Sequence, residues 1–436
     1  MKKIYNLILL TFFTCSVFAQ SPGAATSFTV NGLKVIFKPT VKEVISVRMY
    51  FRGGVYNYQA QQAGIENLTF KAATDCGTKQ YTADAFRDTS DTYGISIGGS
   101  STYDYGNIGM ECISKYFNQA WNLFAEAINN PVFDDSQVQL LKSKLITQVT
   151  STMSDPDRHL DDLLTQNAFA GTPYAIDPDG TPQTLQALTA ADLKNYYYKL
   201  VNKQRMFIVV AGKISRELLE QKIKAAFANL PDKPYTAPAR QTPSWTENKL
   251  NVENRALATN YIAAAFNAPP ADSKDLLAFR MGVSALGGSL FSQLRTKMNL
   301  SYDPGASTSL TLIPYGEMQV STNYPKEAVT AMVEVVNRAR ALGISADGLN
   351  YIKSGFITTN FIKQQGSGAV TANLGSAEIN GGWEYAEKLP ELINAVTVDD
   401  INNAMQTYIK GLQWTYLGDA KLAEAAAEAF KLKVTQ

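Results

Sequence analysis

Apolar and polar positions alternate at the start of the chain, then settle into a helical period. Ser27 to Val30, Lys34 to Phe37 and Ile45 to Phe51 alternate and are rich in β-branched residues, which predicts three strands. Gly53-Gly54 ends the third. Gly64 to Ala73 and Ala83 to Tyr93 read as helices, and Ile95 to Ser101 with Tyr105 to Ile113 as a hairpin. A further helix spans Asn118 to Ile128, with Pro131 after it, and a long one spans Asp134 to Met153. Asp155-Pro156 starts another, an N-cap followed by a first-turn proline. Strands clustered between helices, often meeting as hairpins, predict an α+β fold with largely antiparallel sheets covered by helices on one face.

The pattern occurs twice. Leu188-Thr189-Ala190-Ala191-Asp192-Leu193 precedes an aromatic helix and the strand Met206 to Ala211. Val396-Thr397-Val398-Asp399-Asp400-Ile401 precedes a helix and the strand Trp414 to Leu417, at an offset of 208 residues. Leu141 to Thr147 matches Ile352 to Thr358 at an offset of 211. Two matches in the same order, at nearly one offset, predict a duplicated domain and not a short solenoid repeat. Between the copies stand Pro231, Pro234, Pro238 and Pro243, a semi-stiff linker. The expected division is a signal segment at 1–19, a first domain at 20–230, a linker at 231–246 and a second domain at 247–436.

Lys2, Lys3, the apolar run Ile4 to Phe13 and the small-residue site before Gln20 have the form of a secretory signal. The run is too short to span a bilayer, and no later stretch reaches about eighteen apolar residues. The chain is expected to be exported, to the periplasm, with an uncleaved membrane anchor as the alternative. Two domains suit the length that remains. The net charge of +1 points to neither nucleic acid nor an anionic membrane. Cys76 and Cys112 are too few for a disulfide framework, although one bridge is open to them.

Candidate chemistry is limited by a single histidine, His159, in 436 residues. Asp155, Asp157, His159 and Asp161 alternate like a calcium loop but lack its glycine and its final glutamate. His159 therefore reads as a surface or capping residue. Asp177 to Gly180 reads as a turn, and Tyr196 to Tyr198 as half-buried residues.

Gly287-Gly288-Ser289-Leu290-Phe291-Ser292-Gln293-Leu294-Arg295 followed by Leu300-Ser301-Tyr302, with Asn130 to Asp134 and Gly171 to Tyr174, resembles the pitrilysin/insulinase-like peptidases. The resemblance extends to the order of elements across nearly the whole chain, and lies with the bacterial relatives of mitochondrial processing peptidase. Active members of that family carry H-x-x-E-H on the helix after the glycine pair, binding zinc, with a further glutamate from a later helix. In this chain the resemblance places Asn67 and Lys71 at the histidines, Phe70 at the general base, and Thr147-Gln148 at the third ligand. Zinc takes Cys, His, Asp or Glu, so no cofactor is expected here.

The resemblance also assigns Arg295 and Tyr302 to the substrate carbonyl and developing oxyanion of a partner's active site, with Gly287, Gly288 and Ser289 binding substrate. It implies a heterodimer. A homologous subunit would bring H-x-x-E-H and zinc, and this chain would help hold an extended peptide. The alternative is an inert peptide-binding or assembly scaffold. N-terminal sequencing of the exported protein should start at or near Gln20; an intact Met1 would refute the cleavage site.

Overall fold

The computed structural model describes residues 23–434, so the expected signal segment lies outside the described residues. Six strands form the first sheet: β1 (Thr26–Val30), β2 (Leu33–Pro39), β3 (Val44–Arg52), β4 (Ser96–Ser101), β5 (Tyr105–Ile113) and β6 (Met206–Gly212). Their order is β1-β2-β6-β3-β5-β4, and only β2 and β6 run parallel. The helices of this half are α1 (Ile65–Asp75), α2 (Ala83–Tyr93), α3 (Phe117–Asn129), α4 (Asp135–Ser154), α5 (Pro156–Ala168), α6 (Pro182–Ala187), α7 (Ala190–Leu200) and α8 (Arg216–Phe227). Asp134 caps α4, and Asp155 caps α5 ahead of Pro156. Residues 228–248 carry neither helix nor strand.

The second half repeats the plan. Its strands are β7 (Lys249–Asn254), β8 (Asn260–Asn267), β9 (Gly305–Ser309), β10 (Tyr315–Thr322) and β11 (Gln413–Gly418), in the order β7-β11-β8-β10-β9. Here too a single pair, β7 with β11, is parallel. Its helices are α9 (Asp275–Leu290), α10 (Pro325–Leu342), α11 (Ala346–Lys363), α12 (Ser367–Ile379), α13 (Glu384–Ala395) and α14 (Val398–Tyr408), with two short helices after β11. Helices α7 and α14 begin with the same capping box, Thr189 with Asp192 and Thr397 with Asp400. Both halves are thus α+β units built on a largely antiparallel sheet.

Strand β3 shows how the two halves meet. Ile45, Val47, Met49 and Phe51 pack into the core beneath the sheet's own helices. The alternate residues Ser46, Arg48, Tyr50 and Arg52 face the other way, as a strand's period of two requires. Helix α12 of the second half covers them. Tyr50 donates to Thr371 O at 3.1 Å, Ser46 Oγ lies 2.9 Å from Thr371 Oγ1, and Arg52 pairs with Glu378 at 3.1 Å. Tyr50, Phe207 and Val209 bury Val370 and Leu374 in a small core of their own.

The reverse contact uses α5, the counterpart of α12 at an offset of 211. It lies on the second sheet, where Thr165 Oγ1 meets the Tyr315 hydroxyl at 3.1 Å and Asn167 donates to Thr415 at 3.1 Å. His159 belongs to this contact. It is buried, and its Nε2 is 3.0 Å from Glu253 Oε1, so the expected surface role is wrong. The expectation failed because the exposed face of α5, judged on one half alone, is where the other half docks. Tyr196 and Tyr197 are buried and only Tyr198 is exposed, so the half-buried reading fails for the first two.

Gly375 of α12 is a close-contact point: a Cβ there would overlap the Tyr50 ring. Gly375→Ala should lower stability by about 1–3 kcal/mol, the usual cost of overpacking. Urea unfolding would show this as a lower midpoint, and an unchanged midpoint would count against close docking.

Candidate functional site

The candidate site begins where β3 ends. Gly54 has φ 84°, and its N–H points at the Glu66 carboxylate, 2.9 Å from each oxygen. A Cβ on Gly53 would come within 2.5 Å of that carboxylate. The glycine pair therefore seats Glu66 as well as ending the strand. The Tyr196 hydroxyl donates to Glu66 Oε2 at 2.5 Å. Glu66 is wholly buried, and burial pushes its pKa up to about 7 against the pull of the Tyr196 and Gly54 hydrogen bonds.

On the same helix, α1, Asn67 Nδ2 donates to Asp179 Oδ1 at 2.6 Å. Burial raises the Asp179 carboxyl, and the charge of Lys71 opposes that rise. Phe70 is fully buried, with its ring 4.8 Å from that of Phe51. Gly106 leaves room for the Phe70 ring, since a Cβ there would overlap it. On α4 Thr147 bonds back to Ser143 O at 3.0 Å, and both Thr147 and Gln148 are exposed. An amide bound to a carboxylate, a buried ring and an ammonium are not a zinc donor set. Among the described residues no group of three or more His, Cys, Asp or Glu is arranged to hold a metal. Cys76 and Cys112 are buried free thiols, raised to about 12 and about 11 chiefly by burial.

Acidic residues of both halves lie close to one another. Asp177, whose carboxylate accepts from the Asp179 N–H at 2.8 Å, is pushed up to about 6, chiefly by burial. Asp162 on α5 rises to about 7, from burial first and the charge of Asp177 second. Asp161 is raised by burial and then by Glu317 of β10, across the interface.

The second half contributes Arg295 and Tyr302. Helix α9 runs into a π-helical turn, Phe291–Lys297, which carries Arg295. Asn299 then takes φ 52°, and Leu300 N–H donates to Leu294 O at 2.8 Å. That reversal lays the Tyr302 ring under the Arg295 guanidinium, 4.4 Å from carbon to centroid. Tyr302 is 76% exposed. Among the described residues neither side chain makes a hydrogen bond or an ion pair, so both keep free donors. The charge of Asp303 acts on Asp157 of α5, which places this loop near the first half. Gly288 and Ser289 line a cavity of about 1020 Å³ between α9, α10 and α11, and Gly287 and Gly288 line a shallower one beside β9.

The structure thus brings together Arg295 with Tyr302, and Asn67 and Lys71 with Asp179. It leaves Thr147 and Gln148 in solvent. Glu66, Tyr196 and Asp179 were missed from sequence. A first-turn acid facing a glycine pair is the signal that could have found Glu66.

Residues 34–178 match the family described as Insulinase (Peptidase family M16), and residues 187–356 match the Peptidase M16 inactive domain. The non-peptidase homolog YmxG of Helicobacter pylori is 23% identical over 367 residues, covering 81% of this chain and 83% of that protein. Cytochrome b-c1 complex subunit 1 of Mus musculus is 22% identical, covering 62% of this chain and 58% of that one. The crystal structure of a protease from Helicobacter pylori superposes with a TM-score of 0.83 at 17% identity, covering 91% of this chain and 100% of that chain.

Glu66 generates a test. Below its ordinary pKa of 4.5 both folded and unfolded states hold the proton; between 4.5 and about 7 only the folded state does. Stability should therefore fall as pH rises through that window and level off above it. Glu66→Gln keeps the acceptor for Gly54 and removes the titration. The variant should gain on the parent between pH 5 and 8, by on the order of 3 kcal/mol. Parallel stability curves for variant and parent would refute the assignment.

Proposed function

Because the chain belongs to the insulinase (M16) peptidase family, as a member without a zinc donor set of its own, we propose that it is the substrate-positioning subunit of an exported, heterodimeric zinc metallopeptidase. A homologous chain with H-x-x-E-H supplies the zinc and the general base. The observation that carries the reading is the stacked pair of Arg295 and Tyr302, held on a sharp turn with its donors unspent. The stack orients a guanidinium and a phenol together, and both can hydrogen-bond an oxygen on which negative charge grows. An extended peptide is held by main-chain hydrogen bonds, for which the edge strand β4 offers one free side beside α1. Gly287, Gly288 and Ser289, at the end of α9 before the turn that carries Arg295, bind the substrate.

A second reading, an inert assembly scaffold, is favoured by the exposed apolar side chains Leu342, Tyr351, Phe361 and Ile362 on α10 and α11. The similarity to a cytochrome b-c1 complex subunit is of the same kind. The two readings differ over Arg295 and Tyr302, which a scaffold does not use.

The partner can be isolated by pull-down of the exported protein from its host. The chain alone should hold no stoichiometric zinc and cleave no unstructured peptide; mixing with the zinc-bearing chain should produce activity. Tyr302→Phe keeps the ring under Arg295 and removes one donor, whereas Arg295→Ala removes the fork. Each should lower turnover by roughly a hundredfold, the scale of losing one oxyanion donor, with assembly intact. Full activity in both variants would favour the scaffold.

A further inference from the structure

Helix α11 is eighteen residues long, and only Leu349 and Asn360 are buried on it. A helix that docks in water ordinarily buries an apolar stripe. Asn360 takes one of these two places at 3% exposure, and neither its Oδ1 nor its Nδ2 has a partner among the described residues. A buried carboxamide without partners is costly, and a leucine there would cost nothing of the kind.

Asn360 lines a cavity of about 880 Å³ enclosed by α11, α12, α13 and the start of α9. Asn380 lines the same cavity, and its Oδ1 is buried without a partner. Phe356, Leu389 and Leu392 supply apolar walls. The volume is that of small-molecule sites, and charged side chains such as Arg280, Lys363 and Glu384 also line the cavity.

We propose that the cavity binds a small ligand carrying an amide group flanked by apolar substituents. The complement fits group by group. The Asn360 carboxamide offers a donor and an acceptor side by side, which an amide C=O and N–H answer together. Asn380 Oδ1 accepts a further N–H. Free amides, short peptides and a side-chain amide of a larger chain share this chemistry. Neither Arg295 nor Tyr302 lines this cavity, so the proposal stands or falls independently of the peptidase reading.

N-acetyl-leucinamide is the probe, titrated into the full chain by calorimetry. Saturable binding is expected with a Kd on the order of 1 mM, the range open to a ligand of this size. N-acetyl-leucine methyl ester keeps the shape but loses the terminal N–H, and should bind about tenfold more weakly. Asn360→Leu should weaken the amide by at least about tenfold, while its melting midpoint stays level or rises because a stranded polar group is removed. Ala395→Trp places bulk at the exposed end of the cavity without touching Asn360, and should also weaken binding. A free dipeptide amide tested beside an unfolded polypeptide separates the ligand sources. Absence of saturable binding by the parent, equal binding of amide and ester, or unchanged affinity in both variants would each overturn the proposal.

Discussion

Each sheet in this molecule has two faces, and each half builds enough helices of its own for only one. The remaining face must be covered or left wet, and the chain covers it reciprocally: α12 lies on the first sheet and α5 on the second. Tyr50, Thr371 and Glu378 on one side, with Thr165, Tyr315 and Asn167 on the other, fix that exchange. The two halves therefore meet as a single clasp. Asp303, next to Tyr302, acts on Asp157 of α5, the helix that has crossed to the second sheet.

On α1, the residues expected at zinc positions serve packing and hydrogen bonding. Phe70 fills a pocket that Gly106 leaves open. Asn67 bonds Asp179 and so fastens the turn after Asp177 to α1, and the charge of Lys71 acts on the same carboxylate. One residue earlier, Glu66 is buried in a seat made by Gly54 and Tyr196. Hydrogen bonds and an aromatic core hold α1 in place.

The acidic residues of the first half gather where the two halves approach. Burial raises Asp162, Asp177 and Asp161; Asp177 and Asp161 add to the rise of Asp162, and Glu317 of the second sheet adds to that of Asp161. Carboxyls raised in this way are only partly ionised near neutrality, so the charge where the halves meet varies with pH.

The sequence by itself determined what depends on neighbours along the chain. The alternation in Ile45 to Phe51, the Asp155-Pro156 start and the paired Thr189 and Thr397 caps all express local periods and local hydrogen bonds, and each appears in the fold. The repeat and the single histidine were legible for the same reason, since they concern residue type and spacing. Tertiary structure alone decided which solvent-facing positions were real surface. His159 and Tyr50 look like exposed or ordinary strand and helix residues until the other half arrives and buries them. Glu66, Tyr196 and Gly54 are distant in sequence or differ in element, and only the close approach of α1, α7 and the end of β3 makes them one network. The stacking of Arg295 on Tyr302 likewise needed the turn at Asn299, because a spacing of seven residues does not specify a reversal of the backbone.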